Sequence, residues 1–399
     1  MADLWVEVDL DAVKYNYRQV VSILTAGCQV MAVVKGDGYG LGAVEVAKAL
    51  QEEGCQAFAV TTVTEALTLR EHGIEDTILV LGPSGPQDWA EAIMAGIQLT
   101  VSQLEWIIIL EKMAAENNIQ VKIQLKVETG MGRTGFKEDM IDDLVNSLSN
   151  APHIVIEGAY THFARAAQQD HTYTRVQNDR YLSFLLKLDN LGVKVPQRHV
   201  CNSAAFLDYP QYHYDMVRIG TLIGGHFPSA SFRDKLELQD PWSAKAKIVH
   251  VQQVPKGTPV GYQSIYKSKT DTTLAVIAVG YADGFGVDPR FVPQGIVDLG
   301  KIIIKNIAAL WRIQLGQERI LFKGKSIKIA GKVGMQLTVI DVGKIECCRG
   351  DEVQIPLRRT LANPRIPRFY KKNNEYFRIR IIKEGFLSFN TEYANLTNS

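Results

Sequence analysis

Lys35 closes an apolar run, Val30 to Val34, and opens the segment Lys35-Gly36-Asp37-Gly38-Tyr39-Gly40-Leu41-Gly42. A lysine held in partly apolar surroundings has a lowered pKa, and its neutral amine is then a nucleophile toward a carbonyl. The alternating glycines that follow let backbone approach a ligand closely. On its own the lysine also reads as a solvated strand end, so the other groups carry weight. Lys126-Val127-Glu128-Thr129-Gly130-Met131-Gly132-Arg133 ends a second apolar run in a glycine-containing turn, and Arg133 offers a bidentate fork for a carboxylate. Thr161-His162-Phe163 closes a third run. Asn202-Ser203-Ala204-Ala205 reads either as a helix N-cap or as a place where phosphate meets hydroxyl and backbone donors. Arg218-Ile219-Gly220-Thr221 ends a further run, where parallel barrels often bind phosphate.

These groups need a scaffold that presents strand ends on one face. Strand-like runs at Val30–Lys35, Ala57–Thr62, Thr77–Leu81, Leu99–Ser102, Val121–Val127, Ile154–Thr161, Arg198–Cys201 and Met216–Ile219 alternate with helical patterns such as Ala43–Glu53, Val63–His72 and Tyr173–Leu191. That alternation predicts an α/β fold, an eight-stranded TIM-type (β/α)8 barrel, in preference to an open doubly wound sheet. From Trp242 onward the runs Ala246–Val254, Thr273–Val279, Ile320–Ile329, Thr338–Val342 and Asp351–Ile355 are β-rich and separated by Gly and Pro. They predict a C-terminal, mainly antiparallel β domain. The expected domains are 8–232 and 233–388, with residues 1–7 joining the second. Residues 287–318 stand out as an insertion whose periodicity fits a helix or a buried strand pair.

A net charge of +1 excludes a basic field for nucleic acid. No run reaches the ~20 apolar residues of a membrane helix, and the acidic N-terminus does not read as a signal peptide. The cytoplasm is therefore the expected compartment. The cysteines are scattered without metal-ligand spacing and predict reduced thiols, with no metal.

Taken together, VVKGDGYGLG, LKVETGMGRTG, YTHFA, NSAA, MVRIG, VGYQSIY, VGYADG, GKVGM and RIPR resemble, in order and spacing, the alanine racemase family of fold-type III pyridoxal-phosphate enzymes. The resemblance runs from Trp5 to about Tyr370 and implies a barrel plus a β domain, acting as a homodimer with composite active sites. It implies pyridoxal 5'-phosphate as cofactor and racemisation of a small amino acid, most simply L-alanine to D-alanine for cell-wall synthesis. Lys35 would bind the cofactor covalently and serve as one catalytic base. Tyr262, from the partner subunit, would be the second, because inversion needs bases on opposite faces of the substrate carbon. Tyr39, Ser203, Gly220 and Thr221 would hold the phosphate, with Asn202 beside them. His162 would pack near the pyridine ring, and Arg218 would face its nitrogen. Arg133 and the Met335 amide would bind the substrate carboxylate, Tyr281 would line the entrance, and Lys126 would be carbamylated.

The chain departs from the family pattern in three places. Gln336 follows Met335 where the family usually has aspartate. Pro364 stands where many members carry a tyrosine that narrows the substrate gate. The insertion is the third departure. Together they leave serine racemisation, a broader substrate set, or a non-catalytic cofactor-binding homologue as alternatives.

Overall fold

The computed structural model describes residues 2–287, 299–304, 307, 319–383 and 386–390. Its contacts divide the chain into Leu10–Pro241 and a second unit made of Met1–Asp9 with Trp242–Ser399. The composition shift puts the boundary earlier, at 232/233. That boundary puts residues 233–241 in the second domain, yet Asn16 binds both the amide and the carbonyl of Gln239, each at 2.8 Å. Asn16 is fully buried. Those bonds tie the stretch to the first unit.

The first unit holds β2 (Gln29–Val33), β3 (Ala57–Val60), β4 (Thr77–Val80), β5 (Gln98–Val101), β6 (Val121–Lys126), β7 (Ile154–Tyr160), β8 (Gln197–His199) and β9 (Met216–Ile219). They form one sheet in the order β8-β7-β6-β5-β4-β3-β2-β9, with every pairing parallel. Between its ends, the Arg218 amide donates to Cys201 O at 3.0 Å and the Asp215 amide to Arg198 O at 3.2 Å. The sheet thus curls into a nearly closed barrel with helices between the strands. Strands such as Ala-Phe-Ala-Val of β3 are buried at every position, as a sheet covered on both faces requires.

Side chains alternate between barrel interior and helix layer. Met31, Val33, Ala57, Ala59, Leu79, Tyr160 and Met216 pack as one apolar cluster. Gln98, Gln124, His199 and Arg218 form a second, hydrogen-bonded set. In the parallel register Arg218 lies opposite Met31, and Tyr160 lies opposite both Lys126 and His199. The chemically competent residues therefore collect at the C-terminal strand ends, where such barrels place their chemistry.

Among the described residues, the second unit forms a ten-stranded sheet and a two-stranded one. Its N-terminal strand β1 (Leu4–Asp9) lies between β10 (Trp242–Val254), antiparallel, and Arg368–Lys372, parallel. The remaining pairings of the large sheet are antiparallel. The run read as Ile320–Ile329 is a hairpin of Ile320–Phe322 and Lys325–Ile329. Lys323 and Gly324 both have positive φ, 48° and 73°, the tight turn whose twist matches paired strands. Within the insertion, residues 299–304 are helical. Apart from Val287 and Ile307, the rest of it lies outside the described residues.

Candidate active site

Lys35 follows β2 by one residue, and the four residues after it share left-handed backbone. Gly36, Asp37, Gly38 and Tyr39 have φ of 60°, 54°, 64° and 55°. A left-handed turn costs roughly 1–2 kcal/mol for each residue bearing a Cβ, so Asp37 and Tyr39 are held there by their surroundings. Asp37 Oδ1 accepts from the Ala43 amide at 3.1 Å, and Asp37 O accepts from Gly40 and Gly42 at 3.0 and 2.8 Å. The turn sets Lys35 half-buried. Burial lowers the pKa of its amine and the charge of Arg133 lowers it further; Glu65 opposes this, and Arg218 again lowers it. That is the environment of a lysine nucleophile.

Arg218 is 4% exposed and fixed on several sides. Its Nη1 donates to His199 O at 2.7 Å and His199 Nδ1 at 3.0 Å, and its Nη2 to Thr161 O at 2.7 Å and Val200 O at 3.3 Å. A guanidinium only donates, so His199 Nδ1 accepts and Nε2 carries the proton. Nε2 then donates to Gln124 Oε1 at 3.1 Å, and Gln124 Nε2 donates to Gln98 Oε1 at 2.9 Å. Burial, Arg218 and Lys126 keep His199 neutral. Tyr160 stacks on His199 at 5.0 Å and lies under both Arg218 and Lys126.

Lys126 is the last residue of β6, almost fully buried, and its Nζ has no hydrogen-bond partner. Burial, then Arg218 and Arg133, push its pKa well below the ordinary value against Glu128. His162 is pushed to about 2 by burial and by Arg218, Lys126, Arg133 and Lys35. It is therefore a neutral ring. Arg133 is exposed, on a turn shaped by Glu128, whose carboxylate accepts from the amides of Gly130, Gly132 and Arg133 at 2.5, 3.0 and 3.1 Å.

The remaining barrel residues form a cradle suited to an anion. A Cβ on Gly220 would meet Tyr39 Oη at 2.3 Å, so only glycine lets the phenol lie there. The Gly220 amide donates to Ser203 Oγ at 3.3 Å, and Thr221 Oγ1 is buried without a partner. Asn202 Oδ1 caps the helix Ser203–Asp208 through the amides of Ala204 and Ala205, at 3.1 and 3.0 Å. The barrel thus brings Lys35, Tyr39, Lys126, Arg133, His162, Ser203, Arg218, Gly220 and Thr221 to one end.

Tyr262, Tyr281 and Met335 belong to the second unit and gather around the segment 331–337. A Cβ placed on Gly261 would lie 3.7 Å from Gly331 Cα, and Lys332 Nζ donates to Gln263 Oε1 at 2.8 Å. The Tyr281 and Ala282 amides donate to Gly334 O and Met335 O at 2.9 and 3.0 Å. The loop with Pro364 joins the same corner through the Asn363 amide on Asp283 O, 3.1 Å. Tyr262, Tyr281 and Met335 are 74%, 53% and 59% exposed. Positive φ at Gln263 and Ser264, 60° and 48°, marks the Tyr262 loop as strained. Tyr266 Oη anchors that loop on Asp341, which also accepts from Thr272 Oγ1 at 2.5 Å.

Sequence reasoning passes over Glu65, Glu128, His199 and Gln177. Glu65 has a legible signal, the Thr62-x-x-Glu65 capping box. Gln177 is fully buried and binds Thr129 Oγ1, His162 O and the Ala164 amide. Nothing local in a helix marks it.

The models of the alanine racemase N-terminal and C-terminal domains match residues 8–228 and 242–362. Alanine racemase 1 of Caldanaerobacter subterraneus subsp. tengcongensis is 34% identical over 352 residues, covering 88% of this chain and 84% of the relative. The solved alanine racemase of Clostridium difficile 630 is 29% identical with a TM-score of 0.84, covering 95% and 98% of the two chains. A histidine racemase of Leuconostoc mesenteroides subsp. sake is 25% identical with a TM-score of 0.78, covering 93% and 98%. Matched by both domain models over most of its length, the chain belongs to the alanine racemase family of amino-acid racemases.

Proposed function

We propose that the protein interconverts L- and D-alanine with pyridoxal 5'-phosphate held by Lys35, and so supplies D-alanine for cell-wall synthesis. The observation that carries this is the half-buried Lys35 amine, depressed by burial and neighbouring cations, at the same barrel end as an anion cradle. The cradle fits a phosphate group: Thr221 Oγ1 lacks a partner, Gly220 has no room for a side chain, and Ser203 and Tyr39 present hydroxyls. When bound, the cofactor supplies an electron sink for the charge left at the substrate α-carbon.

The chain's own groups do the rest. Lys35 Nζ, its pKa lowered by burial and by the charge of Arg133, takes or returns a proton on one face of the substrate. Tyr262 Oη, from the partner subunit of a homodimer, serves the opposite face. Arg133 takes the substrate carboxylate with the Met335 amide, Tyr281 lines the entrance, and Asn202 orders the helix start beside the phosphate. Arg218 keeps its proton at working pH and would be the group toward the ring nitrogen, while His162, a neutral imidazole, would lie beside the ring. The partnerless, neutral Lys126 amine is chemically suited to take up carbon dioxide as a carbamate that steadies Arg133. Carbon-13 bicarbonate labelling with NMR should then give a carbamyl signal absent from Lys126→Ala; an unmodified amine contradicts it.

Purified protein given L-alanine and the cofactor should form D-alanine. Lys35→Ala should lose both the covalent visible absorbance and the racemisation. A yellow protein that racemises nothing overturns the catalytic reading.

Gln336 and Pro364 favour a second reading, a broader substrate set. Both are exposed and lie on the segments that pack around Tyr281. The named histidine racemase indicates that this fold accommodates a larger substrate side chain.

A further inference from the structure

Glu65 stands outside every group assigned above, yet its carboxylate joins the nucleophile's turn to a helix start. Oε1 accepts from the Gly36 amide, the peptide directly after Lys35, at 2.6 Å. Oε2 accepts from the Thr61 and Thr62 amides at 2.9 and 3.1 Å. Thr62 Oγ1 in turn accepts from the Glu65 amide at 3.2 Å, completing the capping box of the helix Val63–Glu71. An ordinary capping box needs only one of these oxygens. Here the second is spent on the turn.

That use has a physical reason. The backbone from Gly36 to Tyr39 is left-handed, and two of those residues carry a Cβ that disfavours it. Such a turn persists only when its ends are held. Asp37, through the Ala43 amide, holds the far end. Glu65 holds the near end, at the peptide that sets the direction of the Lys35 side chain.

We propose that Glu65 is a positioning residue for Lys35: it clamps the left-handed turn through Gly36 so that the amine is presented for covalent attachment. This rests on the reading of Lys35 as the cofactor-binding lysine. The chemistry excludes the isosteric amide as a substitute. Both oxygens are acceptors for backbone N–H groups, whereas glutamine offers one oxygen and turns a donor toward the other set.

The test follows attachment of pyridoxal 5'-phosphate to Lys35 by visible absorbance and by borohydride reduction with peptide mass, beside thermal unfolding. Glu65→Gln should slow attachment at least ~10-fold, the size expected from losing a hydrogen bond to a charged acceptor. Thr62→Val weakens the same helix cap but leaves the Gly36 bond, and should change attachment less than about 2-fold while lowering the melting temperature. Equal attachment rates in Glu65→Gln and wild type overturn the proposal. So does equal slowing in both variants, which assigns the effect to the helix cap. Wild-type protein that takes up no cofactor at Lys35 overturns the underlying reading instead, so the two failures are distinguishable.

Discussion

The two units treat buried charge in opposite ways. In the barrel, Arg218 spends its bonds on carbonyl oxygens and a neutral imidazole. In the β unit, Glu7 is equally buried but meets Lys245, Lys371 and Tyr376. Uncompensated buried charge is costly, so proteins normally pair it. Where the charge is paired, the cluster completes its own structure. Arg218, met only by neutral acceptors, leaves a positive charge at the barrel end that would favour a bound anion. Catalytic candidates divide in the same way: the barrel's are mostly locked within the fold, whereas Tyr262, Tyr281 and Met335 are exposed on loops.

The strongest challenge to that contrast is Tyr262→Phe. An exposed hydroxyl contributes little to folding, so stability should stay within about 0.5 kcal/mol. Loss of a positioned base should lower turnover about 10²–10⁴-fold while the Lys35-linked absorbance remains. Full activity in this variant would remove the β unit from the chemistry.

Next in size is the acid response of the paired cluster. Burial raises the pKa of Glu7, but bonds from Lys245, Lys371 and Tyr376 outweigh it and bring it from 4.5 to about 2. A depressed folded-state value means the stabilisation is present above the unfolded pKa and is lost as pH falls through the folded one. Denaturant unfolding of the β unit should therefore weaken between about pH 4.5 and 2, by up to about 3 kcal/mol. Glu7→Gln should be less stable near neutrality and flatter across that window. An unchanged slope would mean the cluster is not what balances the unit's charge.

The smallest effect concerns the gate. Pro364→Tyr should reduce turnover of amino acids bulkier than alanine relative to alanine itself, by about 10-fold, the scale on which pockets discriminate small differences in size. An unchanged ratio would show that the 363–368 loop does not narrow the entrance.

The barrel was legible because several of its strands are short apolar runs in regular alternation with helical patterns, with site residues at their ends, as with Val30–Val34 before Lys35. The β unit read less well. Lys323-Gly324 is a two-residue turn inside what looks like one strand, and β1 pairs with residues more than three hundred positions away. Periodicity carries no signal for such pairing. Among site residues, nucleophile and cation types announce themselves, whereas Glu65 and Gln177 act by accepting or donating to backbone. Their importance exists only once the Gly36 amide and His162 carbonyl have been placed. The left-handed run after Lys35 was half legible: the glycines permit it, but nothing in the sequence forces Asp37 and Tyr39 to join it.

The central claim is that one catalytic site draws Lys35 from the barrel of one subunit and Tyr262 from the β unit of its partner. Mixing Lys35→Ala with Tyr262→Phe under conditions that exchange subunits tests it directly. Random reassortment of a symmetric dimer should restore about a quarter of wild-type racemisation, because each mixed dimer rebuilds one intact site. Mixed dimers that form and show no recovery would contradict the claim.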